Sequence, residues 1–434
     1  MRKPWPYLVT KPAQPSYREP TAMKVLIVSA IYPPEPVVSA QTSAQIAGAL
    51  RAKGHAVRVV TNFPNRPAGK LYPGFSRRFA QREVTAEGIE IVRCFTTLSP
   101  ESTMRSRMLE NLTFGLTSGW QVLTGVKPDV IYANSWPIVA TGILCLIAWL
   151  RRIPVVMSVQ DVYPEVLIVQ QRTAENSRLA RLLRWIDGVI ARYCAHVIVI
   201  SERFAEIYRT QRHVPPERVS LVPNWIDAGQ IDIAVTGRAY RKSIGIGDEE
   251  FLLVYGGNVG VAAGVEVVIE ALRLLAGRPA LRMVVAGSGS QLAACRQLAA
   301  SLPDNTVHFH SPWASTETTA VLRAADLLVL PTRREQSLAS VPSKLLAYML
   351  AGRPVLASAM AGSDLATLIN SAQCGWVVEP DRPDLLAVRI DTISKLPPAE
   401  LMRRGANGRD YVLHHLTKEV CLQEVVDILE GVQG

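Results

Sequence analysis

The sequence predicts an α/β protein built from two Rossmann-like, doubly wound parallel-sheet domains facing across a cleft. Three observations predict it. The chain has 434 residues, too many for one ordinary hydrophobic core. Short runs of aliphatic and β-branched residues alternate with helix-length segments, the rhythm of strands buried on both faces of a parallel sheet. That rhythm breaks once, between Pro223 and Asp248, in a polar stretch holding Gly229, Gly237, Gly245 and Gly247, and then restarts.

Taken in order, residues 1–22 hold five prolines and no apolar run of signal-peptide length. They read as a proline-rich arm, or as sequence ahead of a start at Met23. Val25 to Val28 is the first strand, Ser39 to Lys53 has helix-forming composition closed by Gly54, and Val57 to Thr61 is the next strand. Val130 to Tyr132, Val155 to Met157 and Val197 to Ile200 continue the pattern, so a first domain spans 23–225. Residues 226–248 read as a linker. Phe251 to Tyr255, Arg282 to Ala286, Asp326 to Leu330 and Pro354 to Ala357 are the strands of a second domain, 249–405. The tail 406–434 reads as helical, with Val420, Val425 and Leu429 spaced for one face.

Composition narrows the class. The six cysteines lie far apart, without a Cys-x-x-Cys pair or a Cys/His cluster, so they read as reduced and structural. A net charge of +10 fits either a generally basic surface or attraction to an anion. Among anions, nucleotide-sugar phosphates and acidic lipid rank above nucleic acid, because no nucleic-acid-binding signature is present. The longest apolar run, Ile138 to Leu150, falls short of the ~20 residues a spanning helix needs. It reads as a buried helix, with shallow membrane insertion the lesser alternative. A cytoplasmic location follows as the expectation.

Three turns in the second domain sit where strand carboxyl ends meet helix amino ends, the place where open α/β sheets bind ligands and helix termini favour phosphate. They are Gly256-Gly257-Asn258-Val259-Gly260, Gly287-Ser288-Gly289, and Val341-Pro342-Ser343-Lys344, which opens a helix at Leu345. A glycine after a strand is more often only a tight turn. Three such turns in one domain point to a nucleotide site, with Gly257, Asn258, Gly260, Gly287, Gly289, Ser343, Lys344 and Leu345 as candidate donor contacts.

These turns and their neighbours carry a family resemblance. LLVYGGNVGVAAGVEVVIEAL, MVVAGSGSQLAACRQLA and ADLLVLPTRREQSLASVPSKLLAYMLAGRPVLAS resemble the nucleotide half of a retaining GT-B glycosyltransferase of family 4. AIYPPE (from Ala30), SVQDVYPE (from Ser158), VIVISERF (from Val197) and VPNWID (from Val222) resemble its first half, in order. The subgroup most resembled contains bacterial transferases of N-acetylated sugars, including N-acetylfucosamine, for O-antigen and capsule assembly. The resemblance implies transfer from a nucleotide sugar, UDP-linked, to a lipid-linked acceptor of the undecaprenyl type at the inner face of the cytoplasmic membrane. It implies retention by attack on the same face, with the leaving phosphate taking the acceptor proton.

The departures from the family pattern are specific. Ala339 and Ala347 stand where the family has two glutamates eight residues apart, with Glu335 nearby but out of register. Asn258 and Ala263 replace a basic pair at the first turn, which leaves Lys344 as the evident cation for a diphosphate. No Asp-x-Asp occurs, so no metal is expected, and charge on the leaving group would be met by Lys344 and helix-start N–H groups. In the first domain Asp161 would orient the acceptor hydroxyl or, equally, cap the following helix; Glu35, Tyr163 and Glu165 are acceptor-side candidates. The histidines match no catalytic motif.

Rivals remain. A dinucleotide dehydrogenase would want Gly-x-Gly-x-x-Gly after the opening strand, where Ser29 to Pro34 has no glycine. A sugar-nucleotide epimerase and a non-catalytic subunit share the fold. One surface feature stands apart: between Arg66 and Arg107 eight basic residues face four acidic ones, with Tyr72, Phe75 and Phe79 interleaved. Met104, Met108, Leu112, Leu116 and Trp120 follow at every fourth position. The stripe alone reads as a core helix; the basic loop reads as a dock for an anionic membrane surface.

Overall fold

A computed structural model describes residues 22–100, 103–169, 173–276, 280–337 and 341–432. The expected arm, apart from Ala22, and Ala339 lie outside the described residues. The alternating runs become two separate sheets. In the first, β1 (Lys24–Val28), β2 (Ala56–Asn62), β3 (Ala80–Val84), β4 (Glu90–Cys94), β5 (Val130–Asn134), β6 (Val155–Val159), β7 (His196–Val199) and β8 (Val219–Leu221) adopt the order β3-β4-β2-β1-β5-β6-β7-β8. Only the β3–β4 pair is antiparallel; Val25 sits between Val57 and Val130 in register. Helices α1 (Val38–Ala52), α2 (Met104–Thr124), α3 (Ile138–Arg151), α4 (Glu165–Val169), α5 (Arg178–Tyr193) and α6 (Glu202–Glu206) connect them.

The second sheet holds β9 (Phe251–Gly256), β10 (Leu281–Ala286), β11 (Val307–His310), β12 (Leu327–Pro331), β13 (Val355–Ser358) and β14 (Gly375–Val378), all parallel, in the order β11-β10-β9-β12-β13-β14. Its helices are α7 (Arg238–Ser243), α8 (Val265–Leu274), α9 (Leu292–Ala299), α10 (Thr318–Ala324), α11 (Arg334–Ser337), α12 (Ser343–Leu350), α13 (Asp364–Ser371), α14 (Pro383–Ser394) and α15 (Pro398–His415). Strand order reverses at β9/β12 and, in the first sheet, at β1/β5. Those switch points place the candidate turns at sheet carboxyl ends.

The chain divides into two compact units. One runs to Pro223 and takes back the chain from Cys421, in α16 (Lys418–Gly431); the other is Asn224–Val420. Two expected boundaries change. Residues 226–248 are not a free linker: Ile226, Ile231 and Ile246 are buried in the second unit's core. Arg241 on α7 donates to Asp326 at 2.9 Å and to the Gly247 carbonyl at 2.8 Å. The glycines there punctuate packed turns. The tail is not one appendage either, because α15 starts at Pro398 and packs on the second unit, whereas α16 returns its buried Cys421, Val425 and Leu429 to the first.

The apolar run expected as a buried helix is α3, and burial is only partial. Ala140, Leu144 and Ala148 are buried in the core of the first unit, but Leu146, Trp149 and Leu150 are exposed. Helix α2 corrects a second expectation. Met108, Leu112, Leu116 and Trp120 point outward, while its inner face carries Glu110, Asn111, Phe114, Thr117 and Ser118. The fourfold spacing marked a real stripe, but the stripe is not in the core. All six cysteines are free and buried.

Candidate functional site

In the second unit the backbone leaving β9 turns at Gly257 with φ 145°, and that leaving β10 turns at Gly287 with φ 143°. Both values lie where an L side chain is strained. Space forbids a side chain too: a Cβ at Gly257 would strike the Lys344 Cε, and one at Gly287 would strike the Gly257 carbonyl oxygen. The two turns are therefore stacked on each other, with the Gly257 N–H bonded to the Ala286 carbonyl at 2.8 Å and the Val259 N–H to the Ser288 carbonyl at 2.8 Å. The N–H groups of Asn258 and Gly260 have no backbone acceptor among the described residues. Gly289 closes against the Val259 carbonyl.

Lys344 enters this corner from the first turn of α12. Its Nζ donates to the Tyr255 hydroxyl at 2.8 Å and lies 3.5 Å from the Asn258 carbonyl, 5.1 Å above the Tyr255 ring. Burial lowers its pKa from the ordinary lysine value. None of these partners is a carboxylate, so the charge is solvated by dipoles alone. Ser343 is exposed at the helix start. Leu345 is placed differently from expectation: its side chain is fully buried in the core and its N–H bonds the Pro342 carbonyl at 3.0 Å. It anchors α12 rather than offering a donor contact. Tyr348, one turn further, donates to the Gly256 carbonyl at 3.1 Å and accepts the Gly256 N–H at 2.8 Å, pinning helix to strand. Ala347 is half-buried against the core and Glu335 is exposed on α11.

Sequence reasoning passed over Tyr255, Tyr348 and Arg333. Arg333 follows β12 and pairs with Glu266 and Asp381, so its charge is already neutralised. The signal available was a tyrosine one residue before the glycine pair and an Arg-Arg one residue beyond a strand.

In the first unit a cavity of about 100 Å³ opens at the carboxyl ends of β1, β2, β5 and β6. Its lining is polar: Asn62, Arg66, Asn134, Ser158, Gln160 and Asp161 contribute. Asn134 donates to Ser29 Oγ at 2.8 Å, and Ser43 lies 3.1 Å from the same oxygen. Asn62 is 4% exposed and its Oδ1 has no hydrogen-bond partner. Arg66 donates to the buried Glu110 at 2.7 Å. Burial raises the Glu110 pKa, Arg66 opposes that, and Glu35 adds to it.

The acceptor-side candidates separate here. Asp161 lies on the cavity rim, its carboxylate accepts no hydrogen bond among the described residues, and burial raises its pKa. Tyr163 stacks on Trp136, ring centroids 4.1 Å apart and 14° from parallel, beside the cavity mouth. Trp136 went unrecognised in the sequence. Glu35 is 1% exposed, and its carboxylate accepts the Asn65 N–H at 2.9 Å and the Arg66 N–H at 2.7 Å. It fastens a loop instead of facing a ligand. Glu165 is likewise committed, to Arg212 at 2.8 Å and Arg184 at 3.4 Å.

Two doubly wound α/β units, one on a mainly parallel and one on a wholly parallel sheet, define the GT-B architecture. Residues 39–225 match the family model for the glycosyl transferase 4-like domain, and residues 250–395 match that for glycosyl transferases group 1. The chain belongs to these glycosyltransferase families. Over 420 residues it is 24% identical to WcaI of Escherichia coli (strain K12), described as a colanic acid biosynthesis glycosyl transferase, covering 94% of this chain and 100% of that one. Among solved structures it is similar to sucrose-phosphate synthase (tll1590) from Thermosynechococcus elongatus, with TM-score 0.67 and 18% identity over 94% of this chain and 99% of that one. Anabaena Alr3699/HepE in complex with UDP matches with TM-score 0.66 and 15% identity over 94% and 100%.

Proposed function

We propose that this glycosyltransferase moves an N-acetylated sugar from a UDP-sugar to a lipid-linked saccharide of the undecaprenyl type, with retention, in surface polysaccharide assembly at the inner face of the cytoplasmic membrane. The observation that carries the reading is Lys344, held without a carboxylate partner beside the stacked glycine turns. A diphosphate there would meet an ammonium, the free N–H groups of Asn258 and Gly260, and the amino end of α12. The UDP complex of a GT-B neighbour supports the nucleotide, and the full-length similarity to WcaI supports the polysaccharide setting.

In this reading the sugar–phosphate bond breaks as Lys344 stabilises the departing charge. The acceptor hydroxyl attacks from the same face, and its proton passes to the leaving phosphate. Asp161, a carboxylate on a polar cavity rim, orients the acceptor. No protein nucleophile is needed and no metal is required.

Thermal shift with a panel of nucleotides and nucleotide sugars tests the donor. The correct one should stabilise the fold by about 2.7 kcal/mol at a hundredfold excess over its dissociation constant. Release of UDP only when a lipid-linked acceptor is present supports transfer. Turnover of the donor alone would instead indicate an epimerase, and binding without turnover a non-catalytic subunit, which the alanine at position 347 favours.

A further inference from the structure

Helices α2, α3 and α5 lie side by side over one face of the first sheet. Small residues set the spacing: a Cβ at Gly115 of α2 would meet Ile143 Cδ1 of α3 at 2.8 Å, and Gly142 of α3 approaches Ile190 of α5. Their inner surfaces form the core with Phe114, Val122, Leu144 and Ile190. Their outer surfaces are apolar as well. Trp120, Trp149 and Trp185 are 52%, 59% and 64% exposed, one on each helix, with Leu112, Leu116, Leu146, Leu150 and Leu182 around them.

Such a surface is opposite to what water selects. A helix covered on one side by a sheet should present polar residues outward. In α2 the assignment is reversed, with Glu110, Asn111, Thr117 and Ser118 inside. Charge follows the same logic. The only carboxylates on the three helices are Glu110 and Asp187, and both are buried. Arg105, Arg178 and Arg181 are exposed and make no ion pair among the described residues, and Arg152 ends α3. A groove of about 490 Å³, lined by Ala148, Trp149, Leu150, Arg152, Ile153 and Tyr193, opens where α3 and α5 end.

We infer that the α2–α3–α5 face is the membrane-contacting surface, seated in the interface of an anionic bilayer. Tryptophan prefers the boundary between headgroups and acyl chains, leucine the apolar side of it, and arginine the phosphates. A surface with all three and no outward carboxylate is complementary to that boundary. A second copy of the chain would bring like-charged arginine rims together. No helix among the described residues is long and apolar enough to cross a membrane, so contact here is lateral.

The basic loop expected to dock is less suited. Arg93 is 3% exposed, bonded to Glu83 at 2.8 Å and lying over Phe75, and Arg66 and Arg107 both pair with Glu110. Lys70, Arg77, Arg78 and Arg82 remain at the surface as an auxiliary charge.

This inference rests on the lipid-linked acceptor reading, but its test is independent of turnover. The full chain is sedimented with vesicles of phosphatidylcholine alone, or with about one-quarter phosphatidylglycerol. Wild type should bind the anionic vesicles only, with tryptophan emission quenched by brominated acyl chains. Trp120→Ser/Trp149→Ser/Trp185→Ser should weaken partitioning by at least about tenfold. Its melting temperature and UDP-induced stabilisation should stay intact, because more than half of each of these residues is already exposed. Arg105→Glu/Arg178→Glu/Arg181→Glu should remove the preference for anionic lipid. Equal binding of wild type and the tryptophan variant would overturn the assignment, as would wild type that binds UDP but no vesicle, or a dimer in which the tryptophans are masked. Vesicle binding through these helices without any nucleotide binding would leave this face assigned and sink the catalytic reading instead.

Discussion

Lys344 is a cation held in place by dipoles, and that sets its chemistry. With the Tyr255 hydroxyl at 2.8 Å and no carboxylate partner among the described residues, its charge is available to a ligand. Lys344→Ala should lower turnover by on the order of a hundredfold, the usual size for losing one group that stabilises developing charge. Steady-state kinetics with donor and acceptor check this, and near wild-type turnover would remove the residue from the mechanism. Its pH dependence has a definite sign. Burial lowers the lysine pKa in the free protein, and a bound diphosphate favours the charged form. UDP affinity should therefore hold at neutral pH and fall as pH rises through the lowered pKa, earlier than for an ordinary lysine. In Lys344→Ala titration calorimetry should show that limb flattened. The glycine turns were legible in the sequence because they directly follow strands, and this lysine because it opens a helix after a proline. Tyr255 and Tyr348 were not, because their roles depend on where α12 lies against β9.

At the level of elements, α2 makes the clearest contrast. Phe114→Ala, on its inner face, should destabilise the protein by about 3–5 kcal/mol through the cavity it leaves. Leu116→Ser, two residues away but exposed, should change stability by no more than about 0.5 kcal/mol. Urea denaturation of the two variants distinguishes them, and a large loss at Leu116 would mean that the stripe packs inward after all. The loop from Asp161 to Glu165 is held from behind by a buried ionic knot. Arg212, 1% exposed, donates to Asp187 and Glu165 at 2.8 Å each and to the Tyr163 carbonyl at 3.1 Å, and Tyr208 donates to Asp187 at 3.0 Å. Burial raises the Asp187 pKa against the pull of Arg212. Arg212→Met leaves a buried carboxylate without its partner and should cost about 3–5 kcal/mol. Chemical denaturation reads the loss directly; a change under about 1 kcal/mol would mean water replaces the guanidinium.

For the whole molecule, the proposed chemistry assigns charge stabilisation to one lysine and to backbone N–H groups. Activity should then survive exhaustive chelation, since helix amino ends and an ammonium can take the place of a cation at a diphosphate. Turnover measured in EDTA, and again after adding magnesium or manganese, decides it. Loss on chelation with recovery on either metal would transfer that role away from Lys344.

What the sequence by itself determined is the pair of doubly wound sheets, nine of their fourteen described strands (β3, β4, β8, β11 and β14 escaped it) and the glycine turns after β9 and β10. These follow from local periodicity and from glycine, which act over a few residues and need no knowledge of the rest of the chain. Tertiary structure alone decided which way each face turned. The fourfold stripe of α2 is the same string whether it faces the sheet or the solvent, and only packing through Gly115 onto α3 sends it outward. Likewise Glu35 and Asp161 are both carboxylates on loops that follow a strand. The fold closes backbone N–H groups of residues 65 and 66 onto the first and leaves the second on a cavity rim. The physical reason is common to both: orientation and partner choice depend on contacts between segments distant along the chain, which periodicity does not encode.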